Sequence, residues 1–121
     1  MCFDCDNRSL KIATILGARP QFIKASMVSR ELANHGNIKE LIIHTGQHFD
    51  DNMSKVFFND MEIPPPDYEL NIHSLSHGAM TGRMMEDIEN ILIEQRPDWV
   101  LVYGDTNSTL AGSLSGAKLN I

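Results

Sequence analysis

Three short apolar runs, at residues 11–16, 40–45 and 99–103, are each followed at once by a glycine and then by a stretch with helical or helix-compatible spacing. Runs of this length that are apolar on both faces read as strands buried on both sides. A strand covered on both faces needs helices above and below it, and consecutive helical crossovers join strands in parallel and with one hand. The pattern therefore predicts an α/β chain built as a doubly wound, Rossmann-like parallel sheet. Ligands of such sheets sit beyond the carboxyl ends of the strands, so functional residues are expected directly after Leu16, Thr45 and Tyr103.

The helical stretches have their own signals. Pro20 suits a first helical turn, and Ile23, Met27 and Leu32 keep helical spacing as an apolar face until Gly36. Residues 51–61 place Met53, Val56, Phe57 and Met61 on roughly one face of a second, short helix. Residues 63–71 carry Pro64, Pro65 and Pro66 and are expected to be an extended connector. Met80, Met84, Ile88, Ile91 and Leu92 then form one face of a helix that Pro97 ends, with Glu86, Asp87, Glu89 and Glu94 opposite. A last helix is expected from about residue 108 to 119, where Ala111, Gly112, Ser115 and Gly116 permit close packing on the sheet. Met27, Met53, Met80, Met84 and Met85 read as core filling.

Composition limits the function classes. With 42% apolar residues in 121, the chain can bury one real core and no more, so residues 11–121 are expected as one domain behind a frayed tail, 1–10. A net charge of -6 without a Lys/Arg cluster leaves no footprint for nucleic acid, and no apolar run nears the ~18 residues of a membrane span. The opening MCFDCDNRS lacks a basic and apolar leader, which points to the cytoplasm. Cys2 and Cys5 have no second pair to complete a zinc site, and His73 and His77 read as loop histidines, so no metal is expected. There is no G-x-G-x-x-G and no Walker motif.

The three turns read GARP, GQH and GDT. Arg19 and Lys24 are cations at the start of a helix, where the backbone dipole is already positive and a carboxylate would be usual. An anion held there by the guanidinium and by backbone N–H groups accounts for them; ordinary surface cations are the alternative. Asp105 is a candidate catalytic carboxylate, although Asp105, Thr106 or Asn107 could equally cap the last helix. Gln47 and His48 are candidates for a substrate or regulatory loop, with plain loop residues as the alternative.

Four segments in register, GARPQFIKAS, HTGQHFDDNMS, PDYEL and LVYGDTNSTLAG, resemble the amino-terminal domain of the non-hydrolysing UDP-N-acetylglucosamine 2-epimerase family. The commoner family forms of the first and last are closer to G-T-R-P-E-x-I-K and H-G-D-T-T-T. Ala18, Gln21, Phe22, Tyr103 and Asn107 instead resemble the branch acting on UDP-2,3-diacetamido-2,3-dideoxy-glucuronate. The resemblance implies the first part of a two-domain, glycosyltransferase-B-like architecture, with the second domain and two catalytic glutamates outside these residues, so that the 121 residues alone are expected to be inactive. It implies inversion at C2 of a UDP-linked 2-acetamido sugar for cell-surface polysaccharide precursors, without cofactor or metal, by a homodimer when full length. Arg19 and Lys24 would contact the diphosphate or the leaving oxygen, Asp105 would lie near the sugar, and the Gln47–His48 turn would adjoin a regulatory UDP-sugar. A sugar-nucleotide glycosyltransferase of the same architecture and a non-catalytic nucleotide-binding domain are the other readings.

Overall fold

A computed structural model describes residues 9–47 and 65–121. The expected helix at 51–61, the Cys2/Cys5 pair and His48 lie outside the described residues. Strand β1 (Leu10–Leu16) runs parallel to β2 (Ile38–His44), with Leu10 opposite Ile38 and Leu16 opposite His44. On its other side β1 pairs with β4 (Trp99–Val102), Ile12 opposite Trp99. A two-residue strand, β3 (Tyr68–Glu69), extends the sheet beyond β2, giving the order β3-β2-β1-β4, all parallel.

The expected connector at 63–71 thus contains a strand. Asp67 accounts for it: its N–H bonds Ile42 O at 2.9 Å and its carboxylate accepts from Ile42 N at 2.8 Å, docking the chain against β2 where the prolines cannot donate.

The two faces of the sheet are packed differently. On one, Ala13, Ile15, Leu41 and Ile43 meet Met80, Met84, Ile88, Ile91 and Leu92 of helix α2 (His77–Gln95) and Ala111 of helix α3 (Asn107–Lys118). A β-carbon on Gly112 would lie 2.5 Å from Ile15 Cδ1, so α3 sits on the sheet through its small residues, as its composition predicts. Helix α2 ends at Arg96, in the left-handed conformation (φ 46), directly before Pro97.

On the other face, helix α1 (Arg19–Ala33) covers Leu16 and Ile42 with Phe22 and Ala25. Its face is not the expected one. Ile23 and Met27 are 49% and 73% exposed, while Gln21, Ser26 and Ser29 are buried. Apart from Phe22, the side turned to the sheet is small or polar, with Ala25, Ser26 and Ser29, which allows a close approach that branched side chains would prevent. Met80 and Met84 fill core as expected; Met27 does not.

Candidate functional site

The chain builds β1, β2 and β3 outward in one direction and then returns to place β4 on the far side of β1. The sheet's switch point is therefore between β1 and β4, and α1 and α3 leave it on opposite faces. The turn after β1, residues 17–18, and the turn after β4, residues 103–106, border this crevice.

Gln21 joins the two turns. At the third position of α1 its Oε1 accepts from Gly17 N at 2.9 Å and Ala18 N at 3.1 Å. Its Nε2 donates to Tyr103 O at 2.6 Å and Thr106 Oγ1 at 2.8 Å, with Thr109 Oγ1 at 3.3 Å. The backbone partners fix which end of the carboxamide is oxygen, because two N–H groups lie on one side and a carbonyl on the other.

The turn after β2 is tied in by Gln47 and Thr45. Gln47 Oε1 accepts from Ser108 N at 3.2 Å and Ser108 Oγ at 2.7 Å, and Ser108 Oγ lies 2.8 Å from Thr45 Oγ1. Gly17 packs directly on this pair, whereas Gly46 (φ 86) and Gly104 (φ 73) are needed for their backbone conformation. All three turns meet on one rim.

Arg19 is the first residue of α1, and Lys24, on the same helix, is exposed. Asp105 is exposed in the turn after β4, and the cap of α3 is its neighbour Thr106, whose Oγ1 accepts from Thr109 N. The backbone part of the expected anion site is smaller than the sequence suggests. Gly17 N and Ala18 N are taken by Gln21, and Ser108 N and Thr109 N by Gln47 and Thr106. Pro20 has no N–H to offer, so few backbone donors remain at the start of α1 for an anion. Gln21 was detectable as a glutamine three residues past a helix cap, the position that reaches back to the cap's N–H. Ser108 carried no such signal within TNST.

Two titrating groups flank the crevice on the α1 face. Burial holds the His44 imidazole below its usual 6.5, against the upward pull of Glu69 and a backbone hydrogen bond, and the ring stacks on Phe22 with centroids 5.0 Å apart. Burial, helped by Glu40, pushes the Tyr103 phenol up to about 12. Among the described residues no group of three or more His, Cys, Asp or Glu could hold a metal, and no helix is long and apolar enough to cross a membrane.

The family model of UDP-N-acetylglucosamine 2-epimerase matches residues 30–121. The chain belongs to the UDP-N-acetylglucosamine 2-epimerase family. Within it, the chain is 57% identical over 112 residues to the UDP-2,3-diacetamido-2,3-dideoxy-D-glucuronate 2-epimerase of Pseudomonas aeruginosa, covering 93% of this chain and 32% of that one. It is 61% identical over 112 residues to a UDP-N-acetylglucosamine 2-epimerase homolog of Methanococcus maripaludis, covering 93% and 31%. Its fold matches the crystal structure of the Methanocaldococcus jannaschii UDP-GlcNAc 2-epimerase in complex with UDP-GlcNAc and UDP, with a TM-score of 0.88 and 47% identity over 93% of this chain and 31% of that one. The chain thus spans about a third of the length of these relatives and forms a Rossmann-like part of an epimerase fold of the glycosyltransferase-B type.

Proposed function

We propose that the protein carrying this chain is a UDP-sugar 2-epimerase. A proton leaves C2 as the C1–O bond to UDP breaks, giving a glycal and free UDP. UDP then returns to C1 and a proton adds to the opposite face of C2. The observation that carries this reading is the meeting of the Arg19 and Asp105 turns at the switch point, in a chain 57% identical to a UDP-sugar 2-epimerase. In this reading Arg19 and Lys24 hold the diphosphate, whose charge the already bonded turn amides are poorly placed to take. Asp105, relieved of capping by Thr106, presents its carboxylate to the sugar as base or charge stabiliser.

Gln47 has a different part: with its Oε1 held by Ser108, it supports the start of α3, and a regulatory sugar at the Gln47–His48 turn would meet a residue already engaged. The working form is a cytoplasmic homodimer. Incubation with UDP-2,3-diacetamido-glucuronate and, separately, UDP-N-acetylglucosamine in heavy water tests the function. Deuterium at C2 of either, with the inverted sugar as product, is the expected result and identifies the substrate. Transfer of the sugar to an acceptor without C2 exchange would indicate a glycosyltransferase instead.

A further inference from the structure

The β1–β4 ladder ends at Ile15 opposite Val102, after which the two chains diverge to helices on opposite faces of the sheet. Among the described residues no backbone hydrogen bond links residues 17–19 to residues 103–106. A direct polar link is the Gln21 carboxamide, 3% exposed, with its oxygen on one turn and its nitrogen on the other. A buried carboxamide bonded across two segments holds them at one separation. This one bonds the residues on either side of a crevice whose two rims carry the proposed diphosphate grip and the proposed carboxylate.

We propose that Gln21 is a positioning residue: it sets the separation between the Arg19 turn and the Asp105 turn, and so aligns the leaving diphosphate with the carboxylate near C2. This rests on the function proposed above. UDP alone engages one rim, whereas turnover needs both rims in register, so loss of the link falls on turnover and spares UDP affinity. Misplacement of reacting groups by an ångström costs on the order of a hundredfold in rate.

Gln21→Met keeps the length and removes every hydrogen bond of the side chain. Gln21→Glu still spans the turns: it accepts from Gly17 N and Ala18 N, and its second oxygen moves off Tyr103 O to accept from the Thr106 hydroxyl, while Tyr103 O keeps its 2.6 Å bond from Thr109 Oγ1. In the protein carrying this chain, Gln21→Met is expected to lower kcat for C2 exchange at least ~10-fold with the Kd for UDP within ~3-fold, and Gln21→Glu to return kcat to within ~3-fold of the parent. If Gln21→Met does not fold, Gln21→Asn, a methylene too short to reach both turns, takes its place with the same expectation. Unchanged turnover in the short or apolar variant overturns the proposal. So does an equal fall in turnover and UDP affinity, or a Gln21→Glu variant no better than Gln21→Met. A parent that exchanges neither substrate overturns the function instead, which keeps the two failures distinct.

Discussion

A β-carbon on Gly17 would stand 2.2 Å from Ser108 Oγ and 2.4 Å from Thr45 Oγ1, two hydroxyls that are themselves 2.8 Å apart and buried. The turn after β1 therefore packs against one hydroxyl from the turn after β2 and one from the first turn of α3, with no room for a methyl group. Gly17→Ala must push apart a hydrogen-bonded pair that also holds Gln47, and is expected to destabilise the protein by about 1–3 kcal/mol, the range for overpacking a close-packed site. Urea unfolding measures it. A loss under about 0.5 kcal/mol, the level of an ordinary surface change, would mean the three turns are not locked together.

Among the described residues the buried Tyr103 hydroxyl has no hydrogen-bond partner. Leaving such a group unpaired costs about 1–3 kcal/mol, so Tyr103→Phe removes a penalty and no bond. The variant is expected to match the parent or gain up to about 1 kcal/mol, because burial of the ring is kept and the Tyr103 carbonyl that Gln21 holds belongs to the backbone. A clear loss of stability on thermal unfolding would show that the hydroxyl has a partner in the rest of the protein.

His44 makes stability depend on pH with a definite sign. Its folded-state value lies below 6.5 because burial disfavours the imidazolium, so the unfolded chain binds the proton more readily. This contribution is complete above about pH 6.5 and is lost as pH falls toward the folded-state value, at no more than about 1.4 kcal/mol per pH unit for one proton. Urea midpoints measured from pH 7.5 to 5.5 should fall more steeply for the parent than for His44→Phe, which keeps the stack on Phe22. Parallel curves would remove His44 from the account.

In the proposed function Arg19 takes a heavier share of anion binding, because the amides beside it are occupied by Gln21. Arg19→Ala is expected to weaken UDP binding by about 1.5–3 kcal/mol, the worth of charge-assisted hydrogen bonds, and Arg19→Lys to recover only part, since the planar fork is lost. Calorimetry on both variants decides it; unchanged affinity would make Arg19 a surface cation.

What the sequence discloses depends on how local the cause is. The strands are visible because apolar residues fall on both faces of short runs, although β4 is only partly buried and its Trp99 is 64% exposed, and α2 is visible because Met80, Met84, Ile88, Ile91 and Leu92 obey one period. Periodicity does not give the buried face of α1, because it finds the apolar stripe of Ile23 and Met27, while the sheet takes Phe22 together with the small Ala25, Ser26 and Ser29 that can come close. The short β3 was hidden because its pairing is begun by the Asp67 side chain and not by a run of strand formers. At the site, the turns were legible as glycines after strands. The ties between them were not, since Gln21 and Thr106 are 85 positions apart and Gln47 and Ser108 are 61 apart. No local pattern encodes a contact of that separation.

Asp105 is where capping and chemistry now separate. The sequence left both open, and the Thr106 hydroxyl answers the first by accepting from Thr109 N, while Gln47 takes Ser108 N. Asp105→Asn therefore removes a charge from an exposed turn without touching the helix start, and stability should stay within about 0.5 kcal/mol of the parent. In the proposed reaction the charge itself is needed, either to take the C2 proton or to stabilise positive charge developing on the sugar as the C1–O bond breaks. The near-isosteric amide can do neither, so kcat for C2 exchange should fall at least ~10²-fold. UDP affinity should hardly change, because a carboxylate contributes no favourable contact to a diphosphate. Folding, UDP binding and turnover thus give three separate readouts on one variant, and only the last is expected to move. Near-normal turnover in Asp105→Asn would remove the carboxylate from the chemistry, whatever the state of the fold.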